Sequence, residues 1–248
     1  MPQIASTRLH PLLALRAMRK LLRDREDTRQ AFLLMEALRG KTTLRQFERF
    51  CRTGSGRAIL AERRSLLARL TDRASLAALP PGTLGRAYYE FMAEEQLSAE
   101  GLVELSKVPR PEMSDDLTWF RERTREMHDL LHVTAGYGRD PLGEACVTAF
   151  SFAQTGLKGF ALIAVVGAFR IGRRLRGEPV RRAVFEAYWR GRAAGWLIGA
   201  DWENLLSQPL DQVRARFAIT PPAYYPRVLP SMRRLIAASA HSPQPAAI

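Results

Sequence analysis

The sequence predicts an all-α protein, a single-domain bundle of many helices with a metal site between two adjacent ones. Three observations carry the prediction. Apolar residues recur at helical spacing through most of the chain. Helix-starting residues, such as Asp140 followed by Pro141, stand where those patterns begin. No stretch alternates apolar and polar residues between turn signals, as a half-buried strand would.

The elements follow in order. Pro11 opens a helix to Arg23, and Thr28 to Arg39 forms a second with Phe32, Leu33, Met35 and Leu38 on its apolar side. Thr43 to Arg52 and Ala58 to Leu70 come next, separated by the breaker Gly54-Ser55-Gly56. Another helix runs from Leu84 to Gln96, and Ser98 caps a short turn. A loop with two prolines starts at Lys107. Ser114 then caps the next helix, whose first turn gains from Asp115 and Asp116 through the helix dipole. That helix carries both histidines of the central cluster and continues to Gly136. After the Asp140-Pro141 start, helices are expected over about 158–175, 179–200 and 209–217. PPAYYP at 221–226 is expected to end regular structure, and 240–248 to be a frayed tail.

A chain of 248 residues is long enough for one large domain and needs neither disulfide nor metal simply to fold. Its two cysteines, Cys51 and Cys146, form no CxxC pair and read as reduced thiols, with Cys146 packed inside. The net charge is +13, nearly all of it from arginine, which favours anionic partners. Nucleic acid is disfavoured: the basic residues are spread over most helices among 25 acids, and no DNA- or RNA-binding signature is present. The N-terminus reads as a basic amphipathic helix within 1–25, because Arg16, Arg19 and Lys20 interrupt its apolar stretch. The longest apolar run, 159–169, is well short of the ~20 residues that span a bilayer.

The chemistry concentrates in HDLLHVTAGYGRDPLGE, residues 128–144. On a helix at about 100° per residue, His128 and His132 lie about 40° apart, with Asp129, Arg125 and Arg121 on the same arc. Two imidazoles at i and i+4 present two nitrogens to one metal ion. Gly136 and Gly138 let the chain turn back, and Glu144 then stands in the first turns of the next helix, where it can complete the site. Such a set of N and O ligands with room for water suits a catalytic divalent ion. The same pair also suits a purely structural role. A zinc protease is disfavoured, since the acid after the first histidine is Asp129 and not the glutamate of HExxH. A helical HD phosphohydrolase is disfavoured as well, since the one upstream histidine is His10.

These residues, with three other segments, resemble the coenzyme Q biosynthesis protein 4 family. HDLLHVTAGYGRDPLGE resembles the family's HDxxH-x11-E signature. LPPGTLGRAYYEFM (79–92), TREMHD (124–129) and RGRAAGWLIGADWENLLSQPLDQVRARFAI (190–219) resemble further family segments in the same order. The resemblance spans about residues 79–219. It implies an all-α fold and a divalent metal, usually zinc, held by His128, Asp129, His132 and Glu144. It implies ubiquinone biosynthesis at a membrane surface, beside other quinone-biosynthesis enzymes, on a prenylated quinone precursor. Two activities are implied: oxidative replacement of the C1 carboxyl of the ring by hydroxyl, or a non-catalytic scaffold that binds prenyl lipid and organises the enzyme complex. The location implied is the cytoplasmic side of a bacterial inner membrane, peripherally bound, or the mitochondrial matrix face; a homodimer is compatible. In the catalytic case Asp129 or Glu144 moves protons and Arg125 pairs with the substrate carboxylate or orients Glu144.

The 159–176 segment departs from the family by being more apolar and more basic. Two readings stand: a buried core helix with a solvated end, or a surface placing apolar side chains in lipid and Arg170, Arg173, Arg174 and Arg176 on phosphates.

Overall fold

The computed structural model describes residues 9–23, 28–94 and 114–240, and these residues are helical with no strand among them. Two helices, α1 (Pro11–Arg23) and α2 (Thr28–Ala37), pair as a hairpin. Then come α3 (Thr42–Arg52), α4 (Gly54–Ala61), α5 (Leu66–Thr71), α6 (Arg73–Ala78) and α7 (Leu84–Glu94). The site is carried by α8 (Asp115–Glu126), α9 (His128–Ala135) and α10 (Pro141–Thr155). The chain closes with α11 (Lys158–Arg174), α12 (Val180–Ala193), α13 (Trp202–Leu205), α14 (Leu210–Arg216) and α15 (Tyr225–Ala240).

The start of α10 shows how sequence dictates local structure. The Asp140 carboxylate accepts from the N–H groups of Leu142 and Gly143, and Pro141 supplies a φ already suited to a first turn. Most of α10 is buried, with Phe150, Val147 and Cys146 fully so. Two small residues permit that packing. A Cβ on Gly191 of α12 would meet the Phe150 carbonyl oxygen at 2.7 Å, and one on Gly167 of α11 would meet the Ala145 side chain at 3.1 Å. Around α10 lies one large core, which includes Phe120, Leu130, Trp202 and Val228. A second, small core joins Ala14, Ala17 and Met18 of α1 to Leu34 and Ala37 of α2, packed against Leu162, Ile163 and Val166 of α11.

Several boundaries differ from the sequence expectation. The helix expected over Ala58–Leu70 is two: Arg63 turns the chain at φ +50° and Ser65 caps the second. Gly54-Ser55-Gly56 does not break structure but opens α4, because the Thr53 hydroxyl accepts from the Gly56 N–H. The continuous helix expected through Arg121–Gly136 is interrupted at Met127, whose N–H is shared between the carbonyls of Arg123 and Arg125. The helix expected over 179–200 ends at Ala193, where Ala194 turns extended and Gly195 donates to the Phe217 carbonyl. Regular structure does not end at 221–226: α15 begins at Tyr225, with Pro226 in its first turn and Val228 and Met232 fully buried. The expected turn at Ser98, the loop from Lys107 and the tail at 241–248 lie outside the described residues.

The 159–176 segment packs one side against the core and exposes the other. Gly159, Ala164, Ala168 and Ile171 of α11 face the core, while Val165 and Phe169 on its other side are 65% and 52% exposed. Among the described residues no helix is long and apolar enough to cross a membrane.

Candidate metal centre and its cavity

The turn between α9 and α10 builds the site. Gly136 takes a left-handed conformation (φ +76°), so its N–H and that of Tyr137 both return to the His132 carbonyl and close the helix. Gly143 must lack a side chain, since a Cβ there would lie 1.9 Å from the Gly138 carbonyl oxygen. The Tyr225 hydroxyl receives the Gly138 N–H at 3.0 Å and donates to Asp140. This short reversal sets Glu144 opposite His128 and His132.

The geometry suits one ion. The Nε2 atoms of the two imidazoles are 3.3 Å apart. Glu144 Oε2 stands 3.7 Å from Nε2 of His128 and 3.6 Å from Nε2 of His132. Two nitrogens bound tetrahedrally to one ion at roughly 2.0–2.1 Å are separated by about the same distance as this imidazole pair. His128, Asp129 and His132 can offer ligand atoms within 4.8 Å of one another. His132 is fully buried, and its Nδ1 lies 3.1 Å from the carbonyl oxygens of both Tyr137 and Gly138. Its proton therefore sits on Nδ1 and donates to them, which leaves the Nε2 lone pair aimed into the site, as a metal-binding imidazole requires. Phe91 of α7 stacks on the same ring, with centroids 5.6 Å apart.

Electrostatics agrees with the geometry. Burial pulls the His128 pKa down, but the hydrogen bond and charge of Glu144, with the charge of Asp129, outweigh it and raise the value above normal. Burial pushes Glu144 up, yet its bonds to the two imidazoles hold it well below the ordinary carboxylate range. Glu144 is thus ionised and ready to accept a cation. Asp129 is 4% exposed, and its Oδ1 faces Arg139 at 3.4 Å. The same guanidinium reaches Glu144 Oε1 at 3.7 Å.

Sequence reasoning placed His128, Asp129, His132 and Glu144 together, and the structure brings them together. Arg125 lines the same cavity as His128 and Glu144, and its side chain lies 3.5 Å from Glu126. Several residues that shape the site went unnoticed. Arg139 stood inside the signature but has no helical spacing to flag it. Two more arginines close the C-terminal end of α9. Arg214 donates to the carbonyls of Val133 and Thr134 at 2.9 and 3.0 Å. Arg190, nearly buried, donates to the Ala135 carbonyl at 2.9 Å, to the Tyr137 hydroxyl and to the Thr220 carbonyl. Cations at a helix C-terminus satisfy its orphan carbonyls and oppose its dipole. The buried Arg123–Glu203 pair likewise ties α8 to α13.

His128 and Glu144 open onto a cavity of about 610 Å³. One wall, from α8, α9 and α10, is polar: Arg121, Arg125, His128, Glu144, Thr148 and Ser151. The Ser151 hydroxyl oxygen on this wall has no protein partner. The opposite wall, from α1, α2 and α11, is mainly apolar, with Met18, Leu21, Phe32, Phe160, Ile163 and Val166. Glu36 crosses between the walls, accepting from Arg121 at 2.6 Å and from Arg39 at 3.1 Å.

The fold and site define a class: all-helical proteins with a histidine–carboxylate group that could hold a metal ion at one wall of a cavity with polar and apolar sides. Comparison with known sequences makes this specific. The family described as "Coenzyme Q (ubiquinone) biosynthesis protein Coq4" matches residues 10–223. The chain belongs to this family, and its role is in ubiquinone biosynthesis. It is 32% identical over 196 residues to the mitochondrial ubiquinone biosynthesis protein COQ4 homolog of Danio rerio, covering 76% of this chain and 70% of that one. It is 31% identical over 172 residues to the Homo sapiens homolog, covering 69% and 63%. Among solved structures, a protein assigned to ubiquinone biosynthesis in Nostoc punctiforme superposes with a TM-score of 0.65 at 22% identity, covering 86% of this chain and all of that one. That similarity shows the shared fold.

Proposed function

We propose that the chain is a metal-dependent enzyme of ubiquinone biosynthesis that acts at the membrane surface on the prenylated hydroxybenzoate ring, replacing its C1 carboxyl by hydroxyl. The observation that carries this is a cavity that joins His128 and Glu144, both beside His132, to an apolar wall. A charged ring head and a prenyl tail need those two surfaces side by side.

His128, His132 and Glu144 would hold the ion, with Asp129, a second carboxylate, near the two imidazoles. Zinc fits this N and O donor set. When bound, the divalent ion supplies stabilisation of negative charge on the ring and carboxylate oxygens. The protein's own groups do the rest. Arg125 and Arg139 border the carboxylate site from the cavity wall. Asp129 and Glu144 are the groups positioned to accept and return a proton at the ring oxygen. Met18, Phe32 and Ile163 exclude water along the tail. Replacing carboxylate by hydroxyl releases carbon dioxide and two electrons, so a two-electron acceptor such as dioxygen is a co-substrate.

The membrane is approached through exposed apolar side chains next to arginines. Leu12 and Leu15 of α1 are 72% and 53% exposed, beside Arg16 and Arg19. Anionic headgroups and acyl chains match such a surface. Such a surface supports a peripheral location on the cytoplasmic face of a bacterial inner membrane or an equivalent matrix face.

A second reading is a non-catalytic scaffold that binds prenyl lipid and gathers other quinone-biosynthesis enzymes. It is favoured by Phe185 and Trp189 of α12, which are 63% and 54% exposed on a face with no partner among the described residues. Lipid profiling separates the readings. A strain lacking its own equivalent protein would carry wild type, Glu144→Gln or His132→Ala at equal soluble expression. Wild type should restore quinone, and both variants should accumulate a prenylated ring that keeps its C1 carboxyl. Full restoration by both variants would transfer the function to the scaffold reading.

A further inference from the structure

Arg139 reaches two of the carboxylates around the histidine pair at once. Its Nη1 lies 3.4 Å from Asp129 Oδ1 and its Nε lies 3.7 Å from Glu144 Oε1. Both distances are long for a charge-assisted hydrogen bond, which is normally about 2.7–2.9 Å. The guanidinium therefore bridges the carboxylates without saturating its donors. It is 30% exposed and lines the cavity. It also sits on the short turn between α9 and α10, one residue before the capping Asp140, so its backbone is fixed by the same bonds that fix Glu144.

Charge gives this placement a consequence. With neutral imidazoles, as metal ligation requires, Asp129, Glu144 and Arg139 sum to one negative charge. A divalent ion turns that into one positive charge. The loaded centre then carries one positive charge, which a single ring carboxylate would balance and a ligand without the carboxyl would not. With a cation held there, the planar fork of Arg139 would remain on the cavity wall with donors available to a carboxylate.

We infer that Arg139 is a specificity-determining residue: it stands in for the cation between Asp129 and Glu144 when no metal is bound, and in the loaded protein it pairs with the carboxylate of the incoming ring. Loss of that carboxylate leaves the fork without a partner and favours release of the product. The inference rests on the carboxyl-bearing substrate proposed above.

The test is calorimetric and uses the full chain without turnover. Wild type, Arg139→Ala and Arg139→Lys are titrated first with zinc alone. The zinc-loaded proteins are then titrated with a short-chain prenylated hydroxybenzoate and with the matching prenylated phenol that lacks the carboxyl. Arg139→Ala should bind zinc at least as tightly as wild type, because a competing cation has left the two carboxylates. It should lose roughly tenfold to a hundredfold of its affinity for the carboxylate, with the phenol unchanged. Arg139→Lys should recover only part of the loss, since an ammonium is a point donor and not a fork. If Arg139→Ala still prefers the carboxylate as wild type does, the role is wrong. If it loses zinc and both ligands together, Arg139 merely braces the turn, and the proposal fails in that way too. A wild type that binds both ligands alike overturns the substrate reading itself, and with it the role of Arg139.

Discussion

The two walls of the cavity are built by different physics. The wall bearing His128, His132 and Glu144 is cross-braced by directional bonds: Arg190 and Arg214 on the end of α9, Tyr225 and Asp140 in the turn, and two carbonyls on the His132 ring. The wall of α1, α2 and α11 is held mostly by a small apolar core centred on Met18 and Leu34. Its polar ties include Glu36 with Arg39 and Arg121, and the Arg170 guanidinium, which donates to the Leu22 carbonyl at 2.6 Å. Ligand atoms must be fixed to fractions of an ångström, whereas a hydrocarbon tail needs only water-free area. The difference between the walls suits the amphiphilic substrate proposed above.

The largest effect should come from removing a brace. Arg190→Ala leaves the carbonyls of Ala135 and Thr220 and the Tyr137 hydroxyl without their buried donor. We expect a loss of about 3 kcal/mol, or roughly 10 °C in Tm, and weaker metal binding, read by thermal unfolding and metal analysis. Arg190→Lys should not recover it, because one ammonium cannot serve acceptors in different directions.

A smaller effect is expected on the other wall. Phe32→Ala removes apolar area that faces the cavity. Metal content and Tm should change little, while affinity for a prenylated ligand falls about tenfold and affinity for the same ring without its tail stays constant. Equal losses for both ligands would mean that α2 does not hold the tail.

The mildest probe is pH. His128 is raised in the metal-free protein, so its attraction to Glu144 is fully present below its usual value of about 6.5 and is lost as pH rises through the raised one. Glu144 is lowered, so its share persists above the usual carboxylate range and disappears only as pH falls through its depressed value. Metal needs a neutral imidazole. Metal-free protein should therefore lose stability as pH climbs from about 6 upward, while zinc affinity rises over the same interval. Binding enthalpies in buffers of different ionisation heat should show proton release on the acid side, and Glu144→Gln should flatten it.

Much of this was legible in the sequence. The helix starts at Asp140-Pro141 and Ser114 appear as read, because capping depends on neighbours in the chain. The proximity of His128, His132 and Glu144 was legible because i, i+4 spacing and one glycine-led turn are local. What escaped was set by contacts between distant segments. Arg190 and Arg214 reach α9 from more than fifty residues away, and nothing in their own spacing marks them. The end of α12 at Ala193 depends on Gly195 meeting Phe217. The helix α15 was missed because PPAYYP reads as a stop, although Pro226 stands where a proline opens a helix. Cys146, expected inside, is fully buried, and burial raises its pKa so that it remains a thiol.

The central claim is that the ring's carboxyl lies at the histidine–glutamate centre while the tail lies along α1, α2 and α11. Loading the protein with cobalt and measuring paramagnetic relaxation of a short-chain prenylated hydroxybenzoate tests it directly, with ¹³C at the carboxyl and in the tail methyls. The account predicts the strongest relaxation at the carboxyl carbon and a steady decline along the tail. A gradient of the opposite sense, or none, would contradict it.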